Sequence, residues 1–201
     1  MNGKTQKGSV RLDGYEVLLC VTGGIACYKS ADLVSQLVQM GAGVSVAMTE
    51  AAKEFITLLT FQSLTNRQVF TSMWSSVEYY SAQHVALADL ADIMVVAPAT
   101  ANIIAKMAHG IADDLVSTLA LSTSGACPVL IAPAMNTRMF EAPATGANME
   151  CLIKRGVHSV GPGHGRLACG AIGAGRMAEV AEIIDAVVKI LGRKKPKAAK
   201  K

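Results

Sequence analysis

The chain has 201 residues, enough for one sizeable α/β domain and short for two, and is 51% hydrophobic, 17% charged and 4% aromatic. Six of its nineteen Lys and Arg lie in residues 193–201, so the formal charge of +4 becomes −2 once that tail is set aside, which excludes a basic nucleic-acid-binding domain. Mean hydropathy is +0.36, yet the longest uncharged stretch, residues 115–137, is interrupted by Ser117, Ser122, Ser124, Gly125, Pro128 and Pro133, and reads as helix, turn and buried strand rather than a membrane span.

Residues 1–14 hold no apolar run of the kind that starts a secretory leader and read as an N-terminal extension. YEVLLCV (15–21) is a short apolar run entering Gly23–Gly24, which predicts a buried parallel strand meeting a turn. Residues 25–40 predict a helix, with Ile25, Leu33, Leu37 and Met40 near helical spacing and Gly41 as its stop. VSVAMT (44–49) is the second strand, and residues 51–65 read as helical segments. ADIMVVAPAT (91–100) is a strand ending at Pro98, followed by helical residues 102–122 with a break near Gly110. CPVLIAPA (127–134) is a further strand, residues 141–156 a helix, and residues 158–162 a short last strand. Residues 163–176 read as a loop, 177–192 as the final amphipathic helix, and 193–201 as a basic disordered tail.

Strands alternating with helices of this length specify an α/β fold: a doubly wound, mostly parallel sheet with helices on both faces, in a single domain. In such a sheet ligands bind outside the carboxyl ends of the strands. That rule gathers TGGIA (22–26), MTEAA (48–52), PATAN (98–102) and PAMN (133–136) into one place. Gly23 and Gly24 allow a tight turn into a helix whose N-terminal N–H groups and dipole favour an anion. The pattern is neither G-x-x-x-x-G-K-[ST] nor G-x-G-x-x-G, which argues against nucleoside triphosphates and dinucleotides. Thr49, Thr100 and Asn102 add short neutral donors. One phosphate beside neutral donors for a heterocycle suits a mononucleotide such as FMN; a sugar phosphate and a purely structural turn stay open on these residues alone.

Five cysteines form no C-x-x-C pair and no zinc spacing, so no metal site is expected. Cys20, Cys27, Cys127 and Cys151 read as reduced core residues. Taken singly, Asn136 reads as a turn residue and His84 as a surface or capping residue; His109, His158 and His164 carry no further signal.

Taken together, four segments resemble the flavin-containing cysteine decarboxylase family, whose fold is flavodoxin/Rossmann-like. PATANIIAKMAHGIADDL (98–115) is similar to the family's P-A-S-A-N-T stretch, with Thr100 for Ser and Ile103 for the final Thr. PAMNTRMFEAP (133–143) resembles its P-x-M-N-x-x-M-W motif, with Phe140 for Trp. HVALADLADIMVVAPAT (84–100) puts His84 at the family's histidine, and GRLACGAIGAGRMAE (165–179) resembles the substrate clamp. The likeness covers about residues 15–180, so residues 15–192 read as the flavoprotein domain with its clamp near 162–177.

The resemblance implies FMN held by Gly23, Gly24, Ile25, Thr49, Thr100, Ala101, Asn102, Ile103 and Ala134. It implies a substrate ending in cysteine, which in the family's coenzyme A branch is 4′-phosphopantothenoylcysteine. Flavin oxidation at the sulfur-bearing carbon gives a thioaldehyde, an electron sink that lets the carboxylate leave as carbon dioxide. His84 is then the base, Asn136 grips the substrate carboxylate, and Arg166 and Ala168 contact substrate from the clamp. Cys169 helps return the electrons and a proton, so the enethiol becomes the saturated thiol of 4′-phosphopantetheine. Such relatives form a homotrimer or a dodecamer of trimers, with flavin between subunits. A cytoplasmic decarboxylase is the matching expectation, either free-standing beside a separate phosphopantothenate–cysteine ligase or an isolated domain of a chain fused to one, with no nucleic-acid or membrane partner. The rival readings are a peptidyl-cysteine decarboxylase, a flavin prenyltransferase and a flavin-binding regulatory subunit without activity.

Overall fold

The computed structural model describes residues 10–74, 83–166, 170, 172–192 and 196–197. Alternate residues of β1 (Glu16–Val21) serve opposite layers: Val17, Leu19 and Val21 join one apolar cluster, Leu18 and Cys20 the other. β1 pairs in parallel with β2 (Gly43–Met48) on one side and β4 (Ile93–Ala99) on the other. Beyond β2 lies β3 (Val69–Phe70), and beyond β4 lie β5 (Val129–Pro133) and β6 (His158–Ser159). The order β3-β2-β1-β4-β5-β6 is a doubly wound parallel sheet whose direction of winding switches between β1 and β4.

One face is covered by α1 (Cys27–Gln39), α3 (Leu58–Thr65) and α9 (Val180–Leu191), through Leu33, Val34, Leu37, Phe61, Ile183 and Val187. The other is covered by α4 (Gln83–Leu90), α5 (Ala101–His109), α6 (Leu115–Ser122) and α8 (Pro143–Lys154), through Leu87, Ile103, Ile104, Val116, Leu119 and Leu152. In α9 the buried set Val180, Ile183, Ile184, Val187 and Leu191 follows a helical stripe. Burying each such side chain stabilises by about 1.5–3 kcal/mol. Aromatics are nearly absent, so the helices approach the sheet closely over Ala, Val, Ile and Leu.

Several expectations are revised. Ile25, counted with the first helix, precedes α1 and is 61% exposed; the helix begins only at Cys27. Gly41 does sit just past the helix with φ +95°, a conformation that favours glycine. β3 and the short helices α2 (Glu50–Lys53) and α7 (Thr137–Phe140) break up segments that carry little periodicity. Residues 163–176 are more than a loop: β7 (Gly163–Arg166) and β8 (Ile172–Arg176) form an antiparallel ribbon. Its glycine-rich strands have almost no β propensity, so the sequence gives no strand signal. Leu12 of the N-terminal extension is buried, and its N–H donates to Met40 O at 2.8 Å. In the basic tail, the Lys197 N–H donates to the buried Asp92 carboxylate at 2.7 Å. Among the described residues no helix is long and apolar enough to cross a membrane.

Candidate functional site

At the switch between β1 and β4 the chain leaves toward opposite faces and opens a crevice. Thr22, at the end of β1 and buried, pins its two sides: its hydroxyl donates to Pro98 O at 2.7 Å and accepts from the Thr100 N–H at 3.2 Å. The Ser30 hydroxyl donates to Ala97 O at 2.7 Å and holds α1 against β4 from below. A cavity of about 1090 Å³ lies over this junction.

All four strand-end loops reach it. Of the residues expected from sequence, Gly23, Gly24, Ile25, Thr49, Thr100, Ala101, Asn102, Ile103, Ala134, Asn136 and Arg166 line the one cavity. His84 is half-buried at the start of α4 and is not among the described residues that line the cavity. Ala168 and Cys169 lie outside the described residues.

Helix capping separates the roles of the loops. The Thr49 hydroxyl accepts from the Ala52 N–H and so caps α2; the Thr100 hydroxyl accepts from the Ile103 N–H and caps α5. Each keeps its proton to donate. The N-cap of α1 is Ala26, and no side chain caps that helix. The Cys27 and Lys29 N–H groups donate to Gly24 O and Ala26 O, both at 3.0 Å, so the loop's own carbonyls and no side chain close the start of this thirteen-residue helix, whose positive dipole end borders the cavity at Ala26 and suits an anion. Gly23 is needed there for space: a Cβ would meet Ala51 Cβ at 2.5 Å and its carbonyl at 2.8 Å. Asn102 and the two Thr hydroxyls add neutral donors to the lining of the same cavity.

On the opposite wall, Asn136 caps α7, its Oδ1 accepting from the Arg138 N–H at 2.9 Å. That bond orients the amide so that its NH₂ end is the one turned elsewhere. The β7–β8 ribbon rises beside this loop and brings Arg166 to the cavity rim. Among the described residues Arg166 has no ion-pair partner, so its charge is available to an anionic ligand.

Charged groups that sequence reasoning missed complete the walls: Lys29, Lys106, Asp114 and Arg176 all line the cavity. Lys29 is almost fully buried and donates to Met177 O at 3.3 Å and to Glu179 at 3.0 Å. Arg176 pairs with the other oxygen of Glu179. Lys106 contacts Asp113 and Asp114, both at 2.6 Å. Burial alone would lower its pKa, but the hydrogen bonds to Asp113 and Asp114 together outweigh that and raise it. The only available signal for Lys29 was its place one turn into the helix after Gly23–Gly24; Arg176 and Lys106 carried none that spacing alone could read.

Comparisons with known proteins identify the family. A family model described as Flavoprotein matches residues 5–192. The coenzyme A biosynthesis bifunctional protein CoaBC of Vibrio cholerae is 49% identical over 173 residues, which are 86% of this chain and 43% of that protein. The chain thus spans less than half the length of its bifunctional relatives. A probable phosphopantothenoylcysteine decarboxylase of Streptococcus mutans is 42% identical over 172 residues, covering 86% of this chain and 96% of that one. Among solved structures, a PPC decarboxylase variant complexed with pantothenoylaminoethenethiol superposes with a TM-score of 0.79 at 29% identity, over 90% of this chain and 99% of that one. The FMN binding protein AtHal3 gives the same TM-score, identity and coverage.

Proposed function

The chain belongs to the Flavoprotein family, and on that premise we propose that it binds FMN at the β1/β4 switch point and decarboxylates 4′-phosphopantothenoylcysteine to 4′-phosphopantetheine in coenzyme A biosynthesis. One observation carries the reading: the uncapped start of α1, the neutral donors of α5 and the Asn136 loop share a single cavity. Relatives named as this decarboxylase, one of them nearly the same length, support the substrate.

Gly23, Gly24 and Ile25 hold the FMN phosphate with backbone N–H groups, and Thr49, Thr100, Ala101, Asn102, Ile103 and Ala134 border the ring. Bound flavin supplies a two-electron acceptor for the carbon that carries sulfur. Asn136 donates an amide N–H to the substrate carboxylate. A neutral donor orients that group without the ground-state stabilisation that a full positive charge would give, and so does not oppose its loss as neutral carbon dioxide. Arg166 meets the substrate phosphate as a fork of N–H donors. His84 takes the thiol proton. Cys169 would supply one proton to the enethiol while the two electrons taken up earlier by the bound cofactor would return as a hydride equivalent to the other carbon, and Ala168 would contact substrate from the clamp.

His84 is not among the described residues that line the cavity of its own chain. A site shared between copies in a homotrimer, with the base coming from a neighbour, accounts for this. Ile25 and Tyr28 on the cavity wall are exposed apolar surface that a second copy would cover.

The test is anaerobic incubation with 4′-phosphopantothenoylcysteine while carbon dioxide and flavin absorbance are followed together. Saturated 4′-phosphopantetheine with reoxidised flavin is the expected result. Accumulating enethiol points instead to the peptide-modifying branch, and a protein that binds FMN without turnover to a regulatory subunit.

A further inference from the structure

The ribbon that carries Arg166 is moored to the body of the fold at two places. One is the loop before α7, where the Met135 N–H donates to Gly175 O at 2.9 Å. The other is a cluster at the ribbon's root. There the Glu179 carboxylate accepts from Lys29 of α1 through one oxygen and pairs with Arg176, the last residue of β8, through the other. Lys29 reaches across from the helix that starts at the phosphate seat, with a side chain only 8% exposed. A cation so deeply buried requires a hydrogen-bonded partner of opposite charge. Glu179 itself is 55% exposed on its side chain, so solvent weakens the attraction, and the contact directs groups more than it adds stability. The Glu179 N–H donates to the Glu182 carboxylate at 2.8 Å, one half of a capping box at the start of α9 whose other half is the Glu179 side chain accepting from the Glu182 N–H.

We propose that Glu179 is a positioning residue for the substrate. By holding Lys29 and Arg176 at once, it sets the angle at which β8, and through its ladder β7, stands over the cavity, and so places the Arg166 guanidinium at the rim. It touches neither substrate nor cofactor. Without its charge, Arg176 is released from the root, while an amide oxygen at this position still accepts from the Glu182 N–H and keeps α9 in place. This rests on the proposed decarboxylase reading only for its kinetic arm.

The test compares Glu179→Gln with Glu182→Gln in the FMN-loaded protein. Both lose one carboxylate at the start of α9, but only the first loses the ties to Lys29 and Arg176. Amide exchange of β7 and β8 is measured without substrate, and KM and kcat with 4′-phosphopantothenoylcysteine. Glu179→Gln is expected to speed ribbon exchange about tenfold and raise KM by about the same factor, with kcat and FMN affinity within about twofold. Glu182→Gln is expected to leave exchange and KM as in the unmodified protein. Equal behaviour of the two variants, or ribbon exchange unchanged in Glu179→Gln, overturns the proposal. If the unmodified protein shows no turnover, the decarboxylase reading fails and the exchange measurement alone decides the positioning role.

Discussion

The Met135 N–H donates to Gly175 O at 2.9 Å, so the loop that presents Asn136 and the ribbon that presents Arg166 are joined backbone to backbone. Gly175 has φ +131°, and a Cβ there would run into Met135 O. Gly173, two residues earlier, packs over Thr137, whose Oγ1 would lie 2.5 Å from a Cβ. Gly175→Ala is expected to cost about 1–3 kcal/mol at this contact, seen as roughly a 10–100-fold fall in kcat/KM. FMN affinity should stay put, because the phosphate seat is on the far wall. A variant that lost flavin and kept substrate turnover would contradict this coupling.

The phosphate seat makes a separate prediction. In Gly23→Ala the new methyl group meets Ala51 and displaces the loop before α1. Charge-assisted hydrogen bonds are each worth about 1.5–3 kcal/mol, so FMN affinity should fall about 10–100-fold. Riboflavin, lacking the phosphate, should lose much less. Titrations of both ligands by flavin fluorescence give the ratio, and equal losses would move the phosphate elsewhere.

Asn136→Asp keeps the acceptor oxygen that caps α7 but sets a negative charge against the substrate carboxylate. Turnover should drop at least about tenfold, with thermal stability and yellow colour retained. Restored turnover in this variant would remove Asn136 from carboxylate recognition.

His84→Asn should stay yellow and lose about 10²–10⁴ in rate, the range for a positioned base. If the base of each site comes from a neighbouring copy, assemblies mixed from His84→Asn and Asn136→Asp chains should regain activity. Some of their sites then combine an intact histidine from one copy with an intact asparagine from another. No recovery on mixing would mean that each site is built within one chain.

The Lys29 hydrogen bond holds the Glu179 carboxyl below its ordinary value. A carboxyl depressed in the folded state contributes its stabilisation above the ordinary glutamate range, and loses it as pH falls through the depressed value. Ribbon exchange, corrected for intrinsic rates, should therefore be level from pH 7 to about 5 and accelerate below about 4.5. Glu179→Gln should abolish the acid limb. An acid limb that persists in that variant would assign it to another group.

The sheet was legible because its strands are buried on both faces and read as unbroken apolar runs, such as 15–21 and 127–134. The switch-point rule then brought the four loops together before any contact was known. The ribbon was not legible, since GHGR and IGAGR have neither alternation nor propensity, and their pairing depends on the Met135 loop beneath them. The Lys29–Glu179 pair was equally hidden: 150 residues separate its partners, and a lysine in an amphipathic helix ordinarily faces water.

Local chemistry along the chain determined the alternation of strands and helices, the Gly23–Gly24 turn and the candidate residues of the four loops. Burial periodicity and turn preference act over a few residues and can be read in one dimension. Tertiary structure alone decided that Thr49 and Thr100 cap their own helices while α1 is left without a side-chain cap. It also decided that Glu179 answers a buried lysine from the other end of the chain. Each depends on which groups desolvate one another across the sheet, a quantity no local pattern contains.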